Sequence, residues 1–267
     1  MVYTAAMNDA PPSPRRPRRG IYLLPNLFTT GALFSGFYAI IAAMGGHFGD
    51  AVLAVFVAAV LDGLDGRVAR LTNTQSEFGV QYDSLSDLVS FGLAPSLILY
   101  SWSLSKLSAY GPVWGRIGWA AAFMYAACAA LRLARFNTQV GMADKRYFQG
   151  LASPAAAAFT MIYLWAAQSL GWNGGALVFV TPFVAAAAAL LMVSRFRYFS
   201  FKAWPVGDRV PFIFLFVVVL VLVALAIDPP RVAFGVILLY VLSGPVLTLL
   251  GLAARQRQRR RGRAGTP

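Results

Sequence analysis

Histidine and cysteine are nearly missing from this chain, with one of each in 267 residues. A lone cysteine, Cys128, excludes an intramolecular disulfide framework, and its setting, Ala126-Ala127-Cys128-Ala129-Ala130, gives it a packing role. The lone histidine, His47, falls in the turn signal Gly45-Gly46-His47-Phe48-Gly49 and reads as an interfacial loop residue, which argues against histidine-based metal or acid–base chemistry. Charge is scarce as well. Only 12% of residues are charged against 58% hydrophobic, a balance far from that of a soluble globular domain. Acid is scarcest, with ten carboxylates against 23 basic side chains. Five of those ten lie between Asp62 and Asp87, flanked by residues apolar enough for membrane helix. Carboxylates are costly to bury in lipid, so those found there usually face a cavity, a partner or an ion.

Hydropathy and chain-breaking residues together give about eight spans, approximately 21–43, 49–70, 79–103, 113–135, 152–170, 174–194, 210–227 and 231–253. Turn signals separate them: Gly45-Gly46, Asn73-Thr74, Gly111-Pro112, Asn173-Gly174-Gly175 and Asp228-Pro229-Pro230. The fold class is therefore all-α, a polytopic membrane helical bundle. Residues 20–254 form one integral membrane domain between a basic tail at 1–19 and another at 255–267. The proline-rich Pro11–Arg19 and the tail Arg255–Arg263 are expected to be disordered or extended. No cleavable signal peptide is expected, because the first apolar run is too long and no small-residue cleavage site closes it.

With the N-terminus in the cytoplasm and the spans alternating, Arg15, Arg16, Arg18, Arg19, Arg67, Arg70, Arg132, Arg135, Lys145, Arg146, Arg195, Arg197, Lys202, Arg209 and the tail arginines all fall on the cytoplasmic side. Lys106, Arg116 and Arg231 fall outside. That asymmetry obeys the positive-inside rule. It also accounts for the net charge of +13 through attraction to an anionic leaflet. Nucleic-acid binding is not expected, since no soluble domain remains to perform it. The runs Ala155–Ala158 and Ala185–Ala189 suit close helix packing.

Asp62 and Asp65 are three residues apart and Asp83 and Asp87 four apart, so each pair shares a helix face. At about 100° per residue, Asp62, Asp65, Gly66, Ala69 and Arg70 fall within an arc of roughly 140°, and Gly79, Asp83 and Asp87 within about 80° on the next helix. Two antiparallel helices joined by a short turn face these pairs toward each other. Asp62 precedes Arg70 by about 12 Å of helix, which places the carboxylates just below the cytoplasmic headgroups. Hard divalent cations such as Mg²⁺ or Mn²⁺ neutralise such a cluster. Gly66 and Gly79 leave room beside the backbone, and Arg70 offers a donor fork for phosphate. Two other readings remain: a buried salt network with Arg67 and Arg70, whose two cations do not balance four carboxylates plus Glu77, and a cation transporter with acidic relays.

The pattern Asp62-x-x-Asp65-Gly66-x-x-Ala69-Arg70, then Gly79-x-x-x-Asp83-x-x-x-Asp87, resembles the signature of the CDP-alcohol phosphotransferase family at all eight of its positions. Pro25–Thr29, Leu131–Asn137, Gly150–Pro154 and Ser194–Lys202 resemble the serine-using, integral-membrane bacterial members of that family. The resemblance spans roughly residues 20–205. One departure is Ala32, where asparagine is expected, which bears on a first-helix contact to the nucleotide and not on the chemistry.

The resemblance implies a transfer of the phosphatidyl group of CDP-diacylglycerol to L-serine, giving phosphatidylserine and CMP. Two divalent ions, Mg²⁺ or Mn²⁺, would be held by Asp62, Asp65, Asp83 and Asp87, with Asp87 also the general base. Asn26, Thr29, Gly66, Ala69, Arg70 and Gly79 would form the CDP-diacylglycerol pocket. Arg132 and Arg135, with Arg195 and Lys202 behind them, are candidates for the serine carboxylate, the alternative for each being a topological anchor. Ser153 and Pro154 are candidates to shape that pocket, although Pro154 also suits a first helical turn. Glycerol 3-phosphate, choline or an inositol phosphate remains the alternative acceptor. A homodimer in the bacterial inner membrane, with the active site and both termini in the cytoplasm, completes the expectation.

Overall fold

In a computed structural model of the chain, residues 23–72, 74, 76–138, 147–199 and 212–264 are described. The tail at 1–19, the turn residue Asn73, and Lys145, Arg146, Lys202 and Arg209 lie outside them.

The first two helices, α1 (Leu23–Met44) and α2 (Phe48–Leu71), form a hairpin. Its turn is closed by Gly46, whose positive φ of 80° lets the His47 N–H reach the Ala42 carbonyl at 2.9 Å and the Gly46 N–H reach that of Ala43 at 3.0 Å. This glycine-dependent helix stop leaves His47 exposed in a loop, as its sequence context requires. Ala39, Ala42 and Ala43 of α1 meet Ala51, Ala54, Val55 and Ala58 of α2 in one buried cluster. Phe34, Phe37, Tyr38 and Ile41 point outward. Small residues inside and large apolar ones outside are what close packing in lipid demands.

The third span is one continuous rod of three parts: α3 (Glu77–Asp87), a π-helical turn (Leu88–Leu93) and α4 (Ala94–Trp102). Ser76 caps its start, accepting the Gly79 N–H at 3.0 Å. Periodicity predicted a plain helix over 79–103. Side chains on both sides of its start tie the rod to α1: Ser86 Oγ of α3 donates to the Thr29 carbonyl at 3.2 Å, and Ser90 Oγ, within the wide turn, to the Ala32 carbonyl at 3.0 Å. The Tyr125 hydroxyl, 3.3 Å from the Phe91 carbonyl, supplies a donor inside the widened turn. Gly36 lies flush on Ser90, with a Cβ there falling 2.7 Å from the Ser90 Cα. Such wide turns often accompany functional sites; this one follows directly on Asp87.

A 3₁₀ turn (Leu104–Tyr110) and Gly111, with φ of 116°, lead to α5 (Pro112–Thr138), which starts on a proline as helices tolerate. Two short strands, β1 (Tyr147–Gln149) and β2 (Arg197–Phe199), pair antiparallel with Phe148 opposite Tyr198. The all-α reading did not foresee this ladder, since three-residue strands carry no usable period. Just past it, the Gly150 N–H donates to the Phe196 carbonyl at 2.9 Å, linking the start of the Gly150–Pro154 motif to the described part of the other motif, at 194–199. Gly150, at φ of 81°, sits so close to the Met192 carbonyl that a side chain would overlap it.

From that turn the chain enters α6 (Ser153–Ser169) with Pro154 in its first turn, then α7 (Thr181–Val193), α8 (Phe212–Ile227) and α9 (Pro229–Ala264). Taking α3 and α4 as one rod, the described residues hold eight apolar helical segments. Four are long and apolar enough to cross a membrane by themselves, at 25–44, 77–110, 112–138 and 229–249. α2 has 24 residues but carries Asp62, Asp65, Arg67 and Arg70 in its last part.

Two expectations are corrected. The span at 174–194 is helical only from Thr181, because Gly174 packs directly on the Trp102 carbonyl and the Asn173 side chain accepts the Ala176 N–H at 2.9 Å, holding a non-helical turn. The tail from Arg255, expected to be disordered or extended, continues α9 to Ala264. Arginine and glutamine are good helix formers and no proline follows Pro245 until the chain's last residue.

Candidate active site

The α2–α3 hairpin brings the aspartates together as their spacing requires. One carboxylate oxygen from each of Asp62, Asp83 and Asp87 lies within 4.8 Å of the others. Asp65, one helical turn on from Asp62, is near enough to interact electrostatically with both Asp62 and Asp83. It is 5% exposed, and its Oδ2 accepts the Thr29 hydroxyl at 2.7 Å. Among the described residues none of the four aspartates forms an ion pair, and the Asp83 Oδ1 is buried with no hydrogen-bond partner.

The salt-network alternative therefore has no support here. Arg67 and Arg70 are both exposed, and Arg70 turns its Nε back to the Gly66 carbonyl at 2.8 Å. Three converging carboxylates with an orphaned oxygen form a donor set that suits a hard divalent cation.

The residues expected around CDP-diacylglycerol divide. Gly66 faces open space, so nothing within 4 Å would meet a side chain there. Ala69 and Arg70 continue the same face of α2. Asn26 and Gly79 are brought together across α1 and α3, the Asn26 Oδ1 lying 3.6 Å from where a Gly79 Cβ would stand. Thr29 differs from expectation. It is 4% exposed, and the shorter of its two hydroxyl contacts goes to Asp65, so it holds a carboxylate and does not line an open pocket. Ala32 is buried, and its carbonyl accepts the Ser90 hydroxyl at 3.0 Å.

The serine candidates also separate. Arg132 on α5 lies within electrostatic reach of Asp87, and one terminal nitrogen donates to the Ser153 hydroxyl at 2.9 Å. Its Nε is buried without a partner. Arg135, one turn on, sits 3.5 Å from the Val193 carbonyl at the end of α7, where a cation suits a helix C-terminus. Arg195 is exposed beyond α7. Lys202 is outside the described residues.

Three contributors escaped the aspartate pattern. Ser84, between Asp83 and Asp87, accepts the Asn137 amide at 3.0 Å, which pins the end of α5 to α3. Ser86 and Ser90 hold the rod that carries Asp87 against α1. Serines facing a neighbouring helix inside an apolar span are the signal that could have found the last two.

Fold and site together define an integral-membrane helical protein built around a carboxylate centre close to one inter-helix turn. The sequence model of the CDP-alcohol phosphatidyltransferase family matches residues 22–194, well over half of the chain. The chain belongs to that family. A CDP-diacylglycerol–serine O-phosphatidyltransferase of Helicobacter pylori is 39% identical over 186 residues, covering 70% of this chain and 76% of the relative. A protein of the same name from Mycobacterium bovis is 37% identical over 187 residues, with coverage of 67% and 62%. One from Methanocaldococcus jannaschii is 34% identical over 144 residues, with coverage of 54% and 61%.

Proposed function

We propose that this chain transfers the phosphatidyl group of CDP-diacylglycerol to L-serine, forming phosphatidylserine and CMP. The observation that carries the reading is the convergence of Asp62, Asp83 and Asp87, with Arg132 within electrostatic reach of Asp87. Relatives named for the same reaction support the choice of donor and acceptor.

Asp62, Asp65, Asp83 and Asp87 would hold Mg²⁺ or Mn²⁺, which, when bound, supplies positive charge to the donor diphosphate. Asp87 accepts the serine hydroxyl proton as the oxygen bonds to the phosphatidyl phosphorus, and the bond to the CMP oxygen breaks. Gly66 leaves the backbone open to the donor, flanked by Asn26, Ala69, Arg70 and Gly79. Arg132 binds the serine carboxylate, and Ser153 fixes the direction of its guanidinium. A choline headgroup, itself cationic, is repelled by the same arginine. The arginine and lysine distribution supports placing this site and both termini on the cytoplasmic side of the bacterial inner membrane. The homodimer rests on the family resemblance.

Thr29 takes the role of holding Asp65. Thr29→Val, which keeps shape and deletes the donor, is expected to raise the Mg²⁺ or Mn²⁺ concentration for half-maximal activity about tenfold, a typical loss for a group that orients a ligand. Thr29→Ser should restore it. A metal titration of the three proteins checks this.

The acceptor is tested with labelled CDP-diacylglycerol and a panel of L-serine, glycerol 3-phosphate, choline and an inositol phosphate. Product with L-serine alone is expected. Transfer to another alcohol but not to serine overturns the assignment.

A further inference from the structure

The rod that carries Asp87 and the helix that carries Arg132 are tied to each other at two levels. At the outer level the Asn137 side-chain amide donates to Ser84 Oγ at 3.0 Å, with the amide oxygen 3.4 Å from the same hydroxyl. Ser84 Oγ also donates to the Val80 carbonyl at 3.0 Å, so its proton is taken by its own helix and Asn137 is the donor across the gap. At the inner level the Tyr125 hydroxyl lies 3.3 Å from the Phe91 carbonyl. Beside it α5 presses on the rod, a Cβ on Gly92 falling 3.2 Å from the Ala129 Cβ. Later residues of the rod meet earlier residues of α5, so the two run antiparallel. Asp87 lies between Ser84 and Phe91, and Arg132 between Tyr125 and Asn137. The two ties therefore bracket the base on one element and the acceptor's cation on the other.

We propose that Asn137 is a positioning residue whose bond to Ser84 sets the spacing of α5 from the α3 rod, and with it the place of the acceptor hydroxyl relative to Asp87. The Ser153 bond orients the Arg132 guanidinium from α6 and leaves that spacing to the two ties. A neutral amide and a neutral hydroxyl suit the role chemically. Ser84 stands next to Asp83 in the chain, where a cationic strut would pair with the carboxylates and an anionic one would compete for a divalent ion. The contact of the Arg135 side chain with the Val193 carbonyl holds the same end of α5 to α7, so loss of the strut shifts α5 against the rod without freeing it. Ser84 fills an unspecified position between Asp83 and Asp87, so the aspartate pattern does not mark it. The inference rests on the reading of Asp87 as the base and Arg132 as the acceptor's carboxylate partner.

The test compares the full-length wild type with Asn137→Leu, Ser84→Ala, the double variant, Ser84→Thr and Arg132→Lys. Leucine keeps the bulk of asparagine and removes the donor. Asn137→Leu and Ser84→Ala are each expected to lower kcat/KM for serine about fivefold, the scale of one neutral hydrogen bond, with the KM for CDP-diacylglycerol and the Mg²⁺ concentration for half-maximal activity holding within about twofold. Those two hold because every residue assigned to the donor and the ion lies on α1, α2 or α3. The double variant should be no worse than either single one, because the pair acts as a unit. Ser84→Thr, which keeps the hydroxyl, should restore the serine kinetics. A serine loss matched by equal losses in donor KM and metal requirement marks a merely structural contact and overturns the proposal. Additive losses in the double variant, or a Ser84→Thr protein as impaired as Ser84→Ala, overturn it as well. Wild-type serine kinetics in Asn137→Leu, with a loss in Arg132→Lys, overturn the role of Asn137 and leave Arg132 in place. Wild-type serine kinetics in Arg132→Lys remove the reading of Arg132, and this inference with it.

Discussion

Asp87→Asn is expected to lower serine-dependent CMP release by about three orders of magnitude, within the usual worth of a positioned general base, while the detergent-extracted protein stays folded. The two parts have one cause. Asparagine has nearly the shape of aspartate but does not take the hydroxyl proton. With a single loop histidine in the chain, no imidazole stands in for it. Folding is spared because the variant removes a negative charge from three carboxylates whose oxygens lie within 4.8 Å of one another. The rod bearing Asp87 is held by Ser86 and Ser90 through bonds to α1 that the substitution does not touch. A thermal melt run beside the CMP assay checks both halves. Wild-type turnover with metal present sinks the assignment of the base.

The second large effect separates metal binding from turnover. Asp83 contributes a buried oxygen with no hydrogen-bond partner, a costly arrangement unless a cation sits against it. In the wild type, saturating Mg²⁺ or Mn²⁺ should stabilise the fold by about 2.7 kcal/mol at a hundredfold excess over Kd, read as a rise in melting temperature. In Asp83→Asn that rise is expected to vanish, together with at least about a hundredfold of the activity, a loss on the scale of removing electrostatic stabilisation of the reacting groups. The metal-free variant should melt at or above the metal-free wild type, since one repelling charge is gone. A variant that still gains stability from the metal as the wild type does removes Asp83 from the ligand set.

Much of this site could be read from residue spacing. Offsets of three and four fix a helix face whatever surrounds it, so the aspartate pairs and their meeting across the α2–α3 hairpin followed from periodicity. Hydropathy located the eight apolar segments because crossing lipid imposes both length and composition. Turns with a local cause, such as Gly46, were also visible.

What escaped depends on contacts distant in sequence. The π turn after Asp87 lies where Ser86 and Ser90 reach carbonyls on α1, nearly sixty residues away. The late start of α7 depends on Gly174 meeting the Trp102 carbonyl. The family resemblance made Thr29 a pocket residue, and only the packing of α1 on α2 turned its hydroxyl to Asp65.

The most direct test of a divalent-ion centre serving phosphatidyl transfer is serine-dependent CMP release by the purified wild-type chain. It is measured after exhaustive chelation and again after Mg²⁺ or Mn²⁺ is returned. Release should fall to background on chelation, recover with the metal and require serine throughout. Release that persists undiminished without divalent ions contradicts it.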